Sequence, residues 1–318
     1  NQHCLFCKSS SRLENYAKPA QVADILERLA RKVDFLTLSG GETCLDPWLE
    51  KHIEQARRAG FRRVEVQTNG LLMQDRDYVR RLLSAGMTNA LVSLHSRSED
   101  VSDSITRCKG GYRATLKGIE TLLRERASVT LCHVICSLNY RDVPGYVRFI
   151  DRRFPRSSMC MVFTLAIPTF RVRSMPRLMP RLSDLAPPLK QGLLMCLPSN
   201  DAFKRSSLSL AMDKAETMAK RVFSAGGGLL AGILRAGTGA LSGGRLRARV
   251  ISHCGIPLCV LEGCEDYHNE SAPAGSFPAD HDLFHPPACA SCKWRRNCSG
   301  IWRSYADLHG IEEVRPIQ

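Results

Sequence analysis

Short apolar runs that read as strands begin at residues 34, 64, 89, 129 and 159, and a helical stretch separates each from the next. No other feature constrains the fold as tightly. The strand runs are Asp34–Ser39, Val64–Thr68, Asn89–Leu94, Val129–Ser137 and Met159–Ile167. The helical stretches are Gln21–Arg31, Pro47–Ala59, Arg76–Ala85, Tyr112–Arg126 and Arg141–Phe154, with Gly60 and Gly86 as stops. Strands alternating with helices of this length predict βα units and a parallel sheet. In such a sheet the chemistry belongs on the loops at the C-terminal strand ends. Beyond residue 170 the pattern weakens. Residues 171–190 are rich in Arg and Pro and read as a crossing segment, 205–223 as a helix, and 224–247 as a Gly-rich loop or lid.

Of fourteen cysteines, eight crowd the two ends of the chain. Cys4 and Cys7 form a C-x2-C at the start. Cys254, Cys259, Cys264, Cys289, Cys292 and Cys298 fall within the last 65 residues. A chain of 318 residues with 44% hydrophobic content builds its own core and needs no disulfide staples. Tight C-x2-C spacing in such a chain reads as metal or cluster ligation in a reducing compartment, hence the cytoplasm. Cys132, Cys136 and Cys160 lie inside apolar runs and read as core. Cys44, Cys108 and Cys196 have no partner at ligand spacing.

Ser39-Gly40-Gly41-Glu42 follows the first apolar run directly. Two glycines after a strand let backbone approach a ligand closely, and the adjoining carboxylate can accept from an ammonium group. A plain strand-end turn explains Gly-Gly-Glu alone equally well. The order of motifs carries more. N-Q-H-C-L-F-C, then L-S-G-G-E-T, V-Q-T-N-G and V-S-L-H-S resembles the radical S-adenosylmethionine (SAM) superfamily, whose cluster motif is C-x3-C-x2-C. Cys4 and Cys7 match its second and third cysteines. The first would lie one residue before Asn1, so the chain is expected to begin inside the cluster loop, with the first barrel strand upstream.

The resemblance implies a partial (β/α)6 TIM-like barrel over residues 1–170, a connecting segment over 171–250, and a small cysteine-rich auxiliary-cluster domain over 251–318. It implies a [4Fe–4S] cluster on Cys4 and Cys7, with SAM chelated to the open iron. Phe6 would pack near the adenine, and Gly40, Gly41 and Glu42 would receive the SAM amino group. Thr68 and Asn69 would face SAM or substrate, as would Ser93 and His95 at the next strand end. Thr106 and Arg107 would lie near the SAM carboxylate, and Arg107 reads equally well as surface charge. His95 also reads as a satisfied structural histidine.

The C-terminal C-x2-C-x5-C resembles the SPASM and twitch extensions of these enzymes. It implies one auxiliary [4Fe–4S] cluster on Cys259, Cys289, Cys292 and Cys298, with Cys254 or Cys264 as substitutes. Trp302 stands where a fuller pattern has a further cysteine. Structural zinc satisfies the same spacings. The implied chemistry is reductive cleavage of SAM to a 5′-deoxyadenosyl radical, which takes hydrogen from a peptide or small natural-product precursor. An electron donor such as flavodoxin or ferredoxin is implied with it.

The formal charge of +14 is scattered along the chain. It suits an anionic small molecule, a solvated basic surface, or nucleic acid. With aromatics at 7% and no basic stripe interleaved with them, nucleic acid is not expected. Sulfur insertion into a nucleotide or sugar, with the auxiliary cluster as donor, is a second reading. A non-catalytic iron–sulfur or zinc protein is a third. No apolar run reaches the roughly 20 residues of a membrane helix. The stretch from Phe223 to Leu241 is broken by glycines and Arg235. No secretory signal is legible at Asn1-Gln2-His3-Cys4.

Overall fold

A computed structural model describes residues 1–7, 17–155, 159–167, 172, 174–198, 246–250, 255–268 and 282–318. The strands are β1 (Phe35–Leu38), β2 (Arg63–Thr68), β3 (Asn89–Ser93), β4 (Ser128–Ile135), β5 (Met159–Leu165), β6 (Leu197–Pro198) and β7 (Arg247–Val250). They form one sheet in the order β1-β2-β3-β4-β5-β7-β6, and every pairing is parallel. The helices are α1 (Pro19–Ala30), α2 (Leu49–Ala59), α3 (Arg76–Ala85), α4 (Glu99–Thr106), α5 (Gly111–Arg124), α6 (Val143–Arg153), α7 (Leu182–Leu194) and α8 (Arg303–His309). Strand β8 (Leu283–Phe284) pairs antiparallel with β9 (Ile301–Trp302) in the cysteine-rich segment.

Alternate strand residues divide the sheet into two faces. Leu36, Leu38, Val64, Val66, Ala90, Val92, Val129 and Leu131 are at most 2% exposed and share one core cluster with the helices. Thr37, Glu65, Asn89 and Thr130 point the other way and hydrogen-bond one another across the strands. Arg249 of β7 acts electrostatically on Glu65 of β2, although β3, β4 and β5 lie between them. In a flat sheet four strand spacings of about 4.8 Å would hold them roughly 19 Å apart. The sheet therefore curls into a partial barrel with a polar lumen.

Gly60 and Gly86 end α2 and α3 at φ 108° and 112°, in the left-handed region where glycine carries no Cβ penalty. The helix α7 lies where the sequence suggests only a crossing segment. Pro187 and Pro188 sit inside it. It holds because Leu182, Leu185, Leu189 and Leu193 are at most 1% exposed and because Glu313 caps its first turn, accepting from the Leu182 (2.9 Å) and Ser183 (3.4 Å) amides. The helix α7 and strands β6 and β7 all fall within 171–250, and both strands join the main sheet. The sequence reading also passes over α4, whose buried face is only Ser102, Ile105 and Thr106. The helix expected over 205–223, nearly all of the Gly-rich stretch over 224–247, and Cys254 lie outside the described residues.

Candidate functional site

The loop carrying Cys4 and Cys7 closes on itself, with the Cys7 amide donating to the Cys4 carbonyl at 3.1 Å. It is tied to the end of α4. The His3 amide donates to Thr106 O and the Leu5 amide to Ile105 O, both at 2.9 Å. Cys4 and Cys7 are half-buried, and the Cys4 thiol lies 3.7 Å from the Gln2 side-chain oxygen. Between them Phe6 turns inward against Ile105, Cys136, Ala166, Val172 and Met179. It meets the His95 ring edge-on, with centroids 4.9 Å apart.

Glu42 follows β1 and reaches sideways to the end of β2. Its carboxylate accepts from the Thr68 hydroxyl (2.5 Å), the Asn69 amide (2.8 Å) and the Cys44 amide (3.2 Å). The Asn69 side chain in turn donates to Asn1 Oδ1 at 2.6 Å, so the cysteine loop and the Gly-Gly-Glu loop share one hydrogen-bonded chain. The Asn69 carbonyl is held by the Thr115 hydroxyl of α5 at 2.8 Å. Gly40 and Gly41 are exposed, and a Cβ added at Gly41 would meet nothing within 4 Å. That open backbone beside a carboxylate fits the ammonium end of SAM. Two cysteines three positions apart on an anchored loop fit a cluster edge.

Ser93 ends β3, half-buried on the lumen face. His95 is 2% exposed, and its Nδ1 accepts from the Val134 amide at 3.2 Å. Burial pushes its pKa down to about 4, so the ring is neutral near pH 7 and braces Phe6 from behind. Arg107 is exposed beside the cysteine loop in a left-handed conformation, φ 51°. That is an unusual place for a residue with a side chain. Two supports escape the sequence reading. Cys44 packs under Glu42 with its thiol 3.3 Å from the Thr68 hydroxyl, and burial pushes that thiol's pKa up. Asp46 and His52 form a buried pair behind the same loop, 3.5 Å apart, and burial raises the Asp46 carboxyl. His52, in the first turn of the amphipathic helix that follows Gly-Gly-Glu, was the available signal.

The C-terminal cysteines gather separately. Cys259, Cys289, Cys292 and Cys298 all line one small cavity, together with Arg295 and Arg315. Cys264 is not among its walls and instead lies near Lys190 of α7. The Cys298 sulfur accepts from the Gly300 amide at 3.4 Å. Among the described residues no three His, Cys, Asp or Glu side chains converge closely enough to hold a single metal ion. Four thiols around a shared space, with no carboxylate on its walls, suit an iron–sulfur cluster. Trp302 is 4% exposed and packs over Gly255, where an added Cβ would lie 2.3 Å from the indole. Of the three cysteines read as core, Cys132 and Cys136 are buried, while Cys160 is partly exposed.

Residues 1–150 match the model of the Radical SAM superfamily. Fe-coproporphyrin III synthase of Methanosarcina barkeri is 28% identical over 161 residues, 49% of this chain and 40% of that protein. A probable GTP 3',8-cyclase of Methanocella arvoryzae is 32% identical over 130 residues, 39% of this chain and 40% of that protein. The chain thus spans about two fifths of the length of these curated relatives. Among solved structures, native anSMEcpe with bound AdoMet and Kp18Cys peptide aligns at a TM-score of 0.55. The alignment covers 98% of this chain and 88% of that one at 13% identity, which is a likeness of fold. Among the described residues no helix is long and apolar enough to cross a membrane.

Proposed function

We propose, on the premise that residues 1–150 form a radical SAM superfamily domain, that this chain is a radical SAM tailoring enzyme with one auxiliary [4Fe–4S] cluster. Its substrate would be a peptide or small natural-product precursor. The observation that carries the proposal is the continuous link Cys4–Cys7 loop, Asn1, Asn69, Glu42, which brings cluster ligands and amine acceptor to one mouth of the barrel. With SAM bound, a reduced [4Fe–4S] cluster supplies one-electron cleavage of the sulfonium and a 5′-deoxyadenosyl radical that abstracts hydrogen.

The chain's own residues then have distinct tasks. Cys4 and Cys7 would hold two irons. Glu42 receives the SAM ammonium while keeping its grip on Thr68 and Asn69. Phe6, braced by His95, covers the adenine side and excludes water. Cys259, Cys289, Cys292 and Cys298 hold the auxiliary cluster. Four thiols around one cavity support a fully ligated cluster that carries electrons, over one that gives up sulfide. Arg295 and Arg315 on the same walls offset thiolate charge. The tight C-x2-C spacings support a reducing, cytoplasmic setting, and the one-electron step calls for a flavodoxin- or ferredoxin-type donor.

Electron paramagnetic resonance of the reconstituted, reduced full-length protein tests the assignment of the two sites. SAM should change part of the [4Fe–4S] signal. Cys4→Ala with Cys7→Ala should abolish that change, while Cys289→Ala should preserve it. A signal indifferent to SAM would refute the proposal.

A further inference from the structure

Arg249 stands apart from the scattered surface cations of this chain. It is 6% exposed, and its Nε has no hydrogen-bond partner among the described residues. Registered neighbours in a parallel sheet project to the same face. Arg249 is level with Val162, Val162 with Cys132, and Cys132 with Ser93. The guanidinium therefore belongs to the lumen face, on the strand row that ends at Ser93. Leaving a cation in such a place is costly unless something compensates it.

Glu65 compensates only at a distance. Its hydrogen bonds come from the Thr37 hydroxyl, at 2.9 Å, and the Asn89 side-chain amide, not from Arg249. Arg249 acts on it through the field alone, and burial still raises the Glu65 carboxyl overall. The result is a fixed, always-charged donor in the lumen with at least one N–H left to give. Such a group matches an oxyanion, whose lone pairs satisfy it directly and whose charge cancels its own.

We propose that Arg249 is the receiving cation of an oxyanion subsite in the barrel lumen, taking a carboxylate or phosphate group of the substrate. Arg249 serves the reaction proposed above only if that lumen holds the substrate, with SAM at the strand ends. The subsite itself needs neither cluster nor SAM to bind.

Equilibrium dialysis of the full-length protein against inorganic phosphate and, separately, acetate tests it, with ionic strength fixed by chloride. Wild type should bind at least one probe saturably, and which one binds separates a phosphate-bearing from a carboxylate-bearing substrate. Arg249→Gln should weaken that binding about tenfold or more, the loss of a charged hydrogen bond, and Arg249→Lys should weaken it less. Glu65→Gln removes the opposing charge and should tighten it. No saturable binding by wild type, or equal binding by Arg249→Gln, would overturn the subsite. If Arg249→Gln does not fold, failure of Glu65→Gln to tighten binding overturns it instead. SAM binding measured on the same proteins reports separately on the radical SAM reading.

Discussion

The Glu42 carboxylate already accepts from the Thr68 hydroxyl and from the amides of Asn69 and Cys44, so it is fixed before any ligand arrives. A preorganised acceptor loses little entropy on binding an ammonium group. Glu42→Gln keeps the shape and removes the charge. It should weaken SAM binding about tenfold or more while leaving iron content unchanged, as read by equilibrium dialysis and iron assay. Unchanged affinity would remove Glu42 from the site. The two buried histidines make a second residue-scale prediction. Burial lowers His95 from 6.5 to about 4 and His133 from 6.5 to about 3. Above pH 6.5 both are neutral in the folded and the unfolded chain and contribute no pH dependence. Below it the unfolded chain takes up protons that the folded chain refuses. Stability should therefore fall as pH drops from 6.5 towards 4, by about 1.4 kcal/mol per unit for each ring. Urea unfolding midpoints across that range check the slope, and His133→Phe, beside Tyr146 and Phe163, should flatten it.

At the scale of elements, the site depends on how closely α5 approaches the turn after β2. A Cβ at Gly118 would lie 2.3 Å from the Gly70 carbonyl oxygen, which is backbone and cannot swing aside. Gly118→Ala should cost about 1–3 kcal/mol of stability and, because Asn69 precedes Gly70, also weaken SAM binding. A melting curve and a SAM titration on the same variant read both. Leu189→Ala in α7 should cost about 2–5 kcal/mol without touching SAM affinity, since Leu189 is fully buried in the main core cluster and not in the one around Phe6. Elements of the first 165 residues were legible wherever an apolar run was long, as in β4 and α5. The misses have physical causes. The helix α7 carries two prolines and survives on a cap supplied by Glu313, more than a hundred residues away in sequence. Strand β7 is four residues long and reads Arg-Ala-Arg-Val. Charged residues at alternate positions suggest a solvated edge, but here they face a polar lumen.

For the molecule as a whole, the motif order made the cysteine loop and Gly-Gly-Glu legible, because each is a local signature with a fixed spacing. What the sequence could not show is which distant groups meet. The Asn1–Asn69 bond and the gathering of four cysteines around one cavity both depend on chain closure. The two clusters proposed here set a simple expectation: anaerobic reconstitution of the full-length protein should give about eight irons, and Cys259→Ala should lower that number without abolishing SAM binding. About four irons in wild type would remove the auxiliary cluster. The central claim is that this chain cleaves SAM reductively. The direct measurement is 5′-deoxyadenosine released from SAM by the reconstituted, dithionite-reduced full-length protein under anaerobic conditions. Product is expected from wild type and none from Cys4→Ala with Cys7→Ala. No 5′-deoxyadenosine from wild type with its cluster loaded, or equal amounts from the double variant, would contradict it.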